Sequence, residues 1–316
     1  MADKKIIAVL GATGAQGGGL VRAIMRDTNG AFTARALTRD VTSDKARALA
    51  ALGAEVVPAD VDDPASLKRA FTGAFGAYCV TFFWAHFSGE KETAEGRSMA
   101  QAAKAAGIQH AIWSTFEDTR KFIPLADNRM PTLQGKYKVA HFDGKADADQ
   151  AFRDAGVPTT FLYTSFYWEN LIYFGSGPQR TPDGKLALVY PMDDKKLPGM
   201  AAEDIGKCAL GVFKRGKEYA GKTIGVAGEH LTGAQMAASL TKALGQPIGY
   251  NAVPADVFRG FGFPGADDVG NMFQFKRDFN QQYCANRDLK LSRALNPELL
   301  TFDQWLPANK DRIPLP

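Results

Sequence analysis

Along the first half of the chain, short apolar blocks alternate with stretches in which apolar residues recur at helical spacing. Lys5-Ile-Ile-Ala-Val-Leu10 reads as a buried strand, and Gly11-Ala-Thr-Gly-Ala-Gln-Gly17 opens a helix that runs to about Asp27. Thr33 to Leu37 is a second strand, Ser43 and Asp44 can cap a helix ending near Gly53, and Ala54 to Val57 is a third strand. Another helix follows Asp63-Pro64, with proline in the first turn, where its missing N–H has no helical partner to lose. Ala77 to Phe83 is a fourth strand, Lys91 to Ala106 a long helix, Ala111 to Ser114 a fifth strand, Gly135 to Ala155 a helix and Thr159 to Tyr163 a sixth strand. Regular strand–helix alternation predicts an α/β fold, a doubly wound parallel sheet covered on both faces.

After about residue 165 the alternation loosens. Short strands at Leu186 to Tyr190, Thr223 to Val226 and Ile248 to Ala252 mix with helices at 203–214, 233–244 and 301–309, among dense Gly and Pro punctuation such as Gly260-Phe-Gly-Phe-Pro-Gly265. The division expected is a dinucleotide-binding unit over 1–165 and a smaller C-terminal α/β lobe over 166–316. The boundary is soft, some chain crosses back, and the cleft between the two is the expected ligand site.

Composition narrows the function classes. The 316 residues are 45% hydrophobic and 23% charged, without low-complexity tracts. Net charge is +4 with no concentrated basic block, which argues against direct nucleic-acid binding. No apolar run reaches the ~18 residues of a membrane span, and the apolar stretch after Lys5 is too short for a secretory signal. The expected compartment is the cytoplasm. Cys79, Cys208 and Cys284 are odd in number and far apart, so no disulfide framework is expected. His86, His110, His141 and His230 show no HxxxH pairing, so no metal is expected.

The strongest chemical signal is Gly11-x-x-Gly14-x-x-Gly17 between a strand and a helix. Glycines let the backbone turn and approach a pyrophosphate, and the helix N-terminus offers free N–H groups and a partial positive charge. Any tight strand-to-helix turn can carry a glycine triplet, but its position in a βαβ unit points to dinucleotide binding. Thr13 and Gln16 can add polar contacts to the phosphates. The second strand ends in Leu37-Thr38-Arg39-Asp40, where an arginine suits the 2′-phosphate of NADP and a carboxylate the free ribose of NAD. Arg39 comes first and Lys45 can reach the same phosphate, so the cofactor expected is NADP(H). Asp60 and Val61 fall where the adenine would lie, although Asp60 also suits a helix cap. Thr81, Phe82, Phe83 and Trp84 end the fourth strand at the edge where cofactors rest, as core or as cofactor wall.

For catalysis the candidates are Ser114, His141 and Lys145. Short-chain dehydrogenases carry a Tyr four residues before a Lys on one helix face, the Lys holding the ribose and easing proton transfer at the Tyr. Here His141 occupies the position four before Lys145, and Tyr137 lies eight before it. Lys145 can still bind the nicotinamide ribose. Any proton relay falls to His141 or Lys145, and a surface helix with a packed His141 is the competing reading.

These segments together resemble the NmrA-like family of atypical short-chain dehydrogenases, close to its HSCARG-like subgroup of NADP(H) sensors. The matching pieces are Gly11 to Gly18, Thr38-Arg39, Ala140-His-Phe-Asp-Gly-Lys145, Tyr167-Trp-Glu-Asn170, Gly262 to Ala266, Asn271-Met-Phe273 and Asp303-Gln-Trp-Leu306. The resemblance implies a Rossmann-type domain with a small C-terminal lobe. It implies cofactor contacts from Thr13, Gly14, Gln16, Gly17, Arg39 and Lys145, with Tyr167 and Asn170 near the nicotinamide end. It also implies a redox sensor or regulator that contacts other proteins; fungal members bind transcription regulators, and no residue here identifies such a partner. The aromatic enrichment around the expected cleft (Phe82, Phe83, Trp84, Phe87, Trp113, Phe116, Phe166, Tyr167, Trp168) departs from the sensor pattern. It suits either a thicker core or a pocket for a bulky substrate, and related phenylpropanoid reductases use a Lys without the Tyr. Two readings follow. The one the resemblance favours is a sensor with a regulatory protein partner. The alternative is an NADPH-dependent reductase of a bulky aromatic carbonyl, imine or enol-type substrate. A homodimer is compatible with the sequence, which does not fix the oligomeric state.

Overall fold

A computed structural model describes residues 3–316. The first half runs β1 (Lys5–Val9), α1 (Ala15–Arg26), β2 (Phe32–Thr38), α2 (Asp44–Ala51), β3 (Glu55–Pro58), α3 (Pro64–Phe71), β4 (Gly76–Cys79), α4 (Gly89–Ala105), β5 (His110–Thr115), α5 (Ala140–Ala155) and β6 (Thr159–Tyr163). Then come β7 (Phe166–Tyr167), α6 (Asn170–Tyr173), β8 (Gln179–Arg180), β9 (Leu186–Tyr190), β10 (Lys196–Met200), α7 (Ala202–Arg215) and β11 (Thr223–Gly225). The chain finishes with β12 (Glu229–Thr232), α8 (Gly233–Leu244), β13 (Ile248–Ala252), α9 (Ala255–Arg259), α10 (Ala266–Asp278), α11 (Asn280–Ala285), α12 (Leu289–Leu295) and α13 (Phe302–Asn309).

The main sheet has seven strands in the order β11-β6-β5-β4-β1-β2-β3, all parallel. Chain order reverses between β1 and β4, so a crevice opens beyond the carboxyl ends of those strands, where doubly wound folds bind their ligands. Alternate residues of each strand face opposite layers. Ile7, Val9, Tyr78, Ile112 and Leu162 pack with α1 and α7, while Ala8, Ala77, Cys79, Trp113 and Phe161 pack with α3, α4 and α5. The C-terminal half is more interwoven than a separate lobe. Its β11 is the edge strand beside β6 and its α7 covers α1, while the two three-stranded sheets β12-β10-β7 and β13-β9-β8 build the smaller lobe.

Two expected boundaries move. β4 stops at Cys79 instead of continuing to Phe83, because the Thr81 hydroxyl turns to Glu92 and residues 83–85 form a short 3-10 turn. α5 begins at Ala140 instead of 135. Gln134 and Gly135 take positive φ of 48° and 72°, and the Asp143 carboxylate accepts the Lys138 and Val139 N–H groups at 2.8 and 3.1 Å. Tyr137 therefore stands before the helix, not two turns up it, with its ring buried so close to Gly89 that an added Cβ there would lie 2.4 Å away.

Candidate functional site

Each glycine of the β1–α1 turn has its own reason to be glycine. Gly11 has φ +61°, and a Cβ on it would also meet Val80 at 3.0 Å. Gly14 is exposed and forms the α1 N-cap with no side-chain cap. A Cβ on buried Gly17 would sit 2.5 Å from Gly11 O, so this glycine lets helix and strand approach. Twelve residues of aligned peptide dipoles thus begin at an uncapped, open N-terminus, a cradle that suits a pyrophosphate. The Thr13 side chain, half-buried in the same turn, makes no hydrogen bond among the described residues.

Gln16 is placed differently from expectation. Its amide donates to the Tyr167 hydroxyl and accepts from the Tyr78 hydroxyl, so both ends are engaged inward and only its backbone remains for a phosphate. Burial raises both phenols, Tyr167 to about 12, so they stay protonated and can keep donating. Tyr167 is thus packed under the turn, against Gln16 and 3.4 Å from the Thr164 hydroxyl. Asn170 begins α6 and its side chain makes no hydrogen bond among the described residues; its neighbour Glu169 makes the local ties, to Ala202 N and Trp305 Nε1. Ser114 is 1% exposed with an unpartnered hydroxyl beside Tyr78, so it lies under the site, with no open face toward a substrate.

Beyond β2, Arg39 and Lys45 are exposed and take part in no ion pair or hydrogen bond among the described residues, so both are available to an anion. Asp40 is committed to Thr42 instead. At the end of β3, Asp60 Oδ1 accepts the Asp62 N–H at 3.0 Å and Val61 is half-buried beside it. The helix cap is Asp63, whose carboxylate accepts from Ala65 and Ser66.

The densest electrostatics lie past β4. Lys145, 6% exposed, places its ammonium 2.5 Å from Glu92 Oε1 and donates to the Thr81 hydroxyl, which itself donates to Glu92 at 2.5 Å. Burial alone would push the Glu92 carboxyl up. The Lys145 charge, the facing His86 and hydrogen bonds from Lys145 and Thr81 outweigh it and hold the group at about 2. Trp113 lies 5.5 Å beneath the ammonium. Phe82, 58% exposed, and Phe87 stand at the rim with half-buried Trp84, while Phe83 is core. His141 lies one helical turn before Lys145, its Nδ1 bonded to Asp268 of α10.

Sequence reasoning missed Glu92, Asp268 and a cluster of His86, Glu92 and Glu95, whose donor atoms lie within 4.8 Å of one another. A scan for paired histidines passes over this spacing. His86 Nδ1 accepts the Ser88 N–H at 3.1 Å, which leaves the proton on Nε2, directed at Glu92 and Glu95 from 3.4 and 3.7 Å. Neither His86 Nε2 nor Glu92 Oε2 has a hydrogen-bond partner among the described residues, so the three groups face one another at ion-pair distance. No helix among the described residues is long and apolar enough to cross a membrane.

A sequence model of the NmrA-like family matches residues 3–306. The chain is 26% identical over 341 aligned residues to the NmrA-like family domain-containing oxidoreductase lnbB of Aspergillus flavus, with 98% of each covered. Among solved structures, NmrA, a negative transcriptional regulator, superposes with a TM-score of 0.78 at 24% identity over 98% of both chains. That regulator has also been solved with NAD and with NADP. The triphenylmethane reductase of Citrobacter sp., complexed with NADP(H), gives a TM-score of 0.73 at 20% identity over 96% of this chain and 99% of its own.

Proposed function

The chain belongs to the NmrA-like family, and from that premise we propose an NADP(H)-dependent reductase of a bulky, apolar aromatic carbonyl, imine or enol-type compound. The observation that carries the reading is the Lys145 ammonium, paired with a buried carboxylate at the carboxyl edge of the sheet beside the topological switch. A surface helix has no need of such a group, since an ammonium is desolvated at a cost of several kcal/mol unless partnered, as a rough guide. When bound, the dinucleotide supplies the hydride. The Gly11–Gly17 turn takes the pyrophosphate, Arg39 and Lys45 the 2′-phosphate, and Lys145 the nicotinamide ribose. Phe82, Trp84 and Phe87 wall the substrate and exclude water. The relatives named as oxidoreductases support the same reading, and the cytoplasm is the expected compartment.

The likeness to a transcriptional regulator favours a second reading, a redox sensor with a protein partner, in which the same site binds NADPH without turnover. One experiment separates them: NADPH oxidation across a panel of aromatic ketones, quinones and imines, beside NADPH binding by calorimetry. Substrate-dependent oxidation supports the reductase; tight binding with none across the panel supports the sensor. In either case Arg39→Ala should weaken NADP binding by about 30-fold, since charge-assisted bonds to a phosphate are worth about 2 kcal/mol, and leave NAD binding nearly unchanged. Equal losses for both cofactors would remove Arg39 from the site.

A further inference from the structure

His141 and Lys145 are four apart on α5 and share a helix face. Asp268 reaches His141 from α10, 127 residues away in sequence. Its Oδ2 bonds His141 Nδ1, and its Oδ1 accepts the Ala140 N–H at 2.5 Å. The carboxylate is 3% exposed. Because a carboxylate only accepts, it takes Nδ1–H and leaves Nε2 as the atom that gains or gives a proton.

Nε2 has no hydrogen-bond partner among the described residues, nor is it among the unpartnered atoms sealed from solvent. The rings of Phe83, Trp84 and Phe116 stand around the imidazole at 5.7, 5.1 and 6.1 Å between centroids. They leave an apolar, ring-shaped approach to one nitrogen. Asp268 is itself held. Asp268, Asn271 and Gln274 follow one another at three-residue steps on α10. Asn271 donates to Pro131 O and Lys138 O at 2.9 and 2.6 Å, and Gln274 to Arg129 O at 2.8 Å. This polar face of α10 fixes the whole 129–141 segment, and His141 with it.

We propose that His141 is the proton donor of the reduction and that Asp268 is its positioning residue; the proposal rests on the reductase reading above. The substrate carbonyl carbon accepts the hydride from NADPH, its π pair moves to the oxygen, and the oxygen takes the proton from Nε2–H of the imidazolium. NADP⁺ and the alcohol leave, and the neutral imidazole recovers a proton from solvent. The charged and titratable groups about His141 are Asp268 from α10, Lys145 along α5, Lys276 beyond the Phe142 ring and His86 behind Phe83. The other facing surfaces are aromatic.

The test uses the full chain, NADPH and 9,10-phenanthrenequinone, with kcat followed from pH 5.5 to 9 and NADPH Kd and melting temperature measured alongside. Asp268→Asn keeps an oxygen for Ala140 N–H but turns an amide donor toward Nδ1, which reverses the tautomer. Asp268→Asn and His141→Gln should each lower kcat by ~10²-fold or more, the scale of proton-transfer catalysis, with NADPH Kd within about twofold. His141→Gln should remove the pH dependence of kcat that a proton-donating side chain confers. Asp268→Glu should recover part of the rate. Wild-type rate and pH profile retained in Asp268→Asn would overturn the dyad while leaving the reductase reading in place. Parallel losses of melting temperature and NADPH affinity, with kcat preserved, would reduce it to a clasp. NADPH bound by wild type without oxidation by this quinone or by any compound of the aromatic panel would overturn the reductase reading and the donor together.

Discussion

At the carboxyl edge of the main sheet, Lys145 has a carboxylate at 2.5 Å and a hydroxyl partner; in the C-terminal lobe, Lys276 has neither. Both are nearly sealed, at 6% and 3% exposure. Lys276 Nζ meets the Met272 sulfur at 3.1 Å and the rings of Phe142, Phe273 and Tyr283 at 5.7, 5.6 and 5.4 Å. Burial, with repulsion from Arg287, pushes this amine down to about 7, and Glu117 only partly offsets it. Equal depth therefore does not mean equal surroundings. The partner decides, and the lysine given a partner is the one at the carboxyl edge of the main sheet.

The comparison breaks most visibly at Glu92. Glu92→Gln keeps size and hydrogen-bonding capacity but removes the countercharge, which strands the Lys145 ammonium. It should lower stability by ~3–5 kcal/mol, the cost of breaking a buried pair from one side, and weaken NADPH binding as well. Chemical denaturation and calorimetry measure both. An unchanged denaturation midpoint would mean that the pair holds nothing together.

Lys276→Met should act in the opposite sense. It should stabilise the protein at pH 7 by on the order of 1–3 kcal/mol, since the amine is buried without a charge partner and methionine fits the same slot. The amine titrates at about 7 folded against 10.5 as reference. Between those values the unfolded chain binds the extra proton, so wild-type stability should rise with pH from 7 toward 10.5 and the advantage of methionine should shrink. An advantage constant from pH 6 to 10 would show that packing, not charge, sets it.

A smaller effect sharpens the same point with the opposite charge. Burial raises the Asp149 carboxyl to about 7 against hydrogen bonds from Thr115 and Trp113, from a reference of 3.8. Here the folded protein holds the proton, so stability should fall as pH rises from 4 to 7. Asp149→Asn should therefore stabilise by about 1 kcal/mol at pH 8 and less at pH 5. Melting curves at the two pH values that coincide for the variant and wild type would refute it.

The first six strands were legible because each is a short apolar run between turn signals, and Gly11, Gly14 and Gly17 sit where steric need and sequence spacing coincide. The chemistry around Lys145 was half legible. Its position and that of His141 follow from α5, but Glu92 and Asp268 are brought to them from other helices by tertiary packing. Residues 266–278 show why. Asp268, Asn271, Gln274 and Lys276 are buried together with Phe273 and Phe275, so the polar residues of this helix lie inside and no polar-out, apolar-in rhythm of 3.6 residues marks it. Gln16 misled because a polar side chain at a phosphate turn is also within reach of two buried phenols. Its side chain follows its neighbours Tyr78 and Tyr167.

α1 and α7 cross on glycines: a Cβ on Gly206 would lie 2.1 Å from Leu20 N, and one on Gly19 would lie 2.9 Å from Glu203 O. Helices this close leave no water between them, so the outer face of α1 is finished only by α7. During synthesis the two are separated in time. At typical elongation rates of ~5–20 residues per second, α7 follows α1 by roughly 10–40 s. For that interval Leu20 and Ile24 have no cover from α7. The glycine turn and its helix are thus among the first segments made, and the cover that α7 gives them comes late.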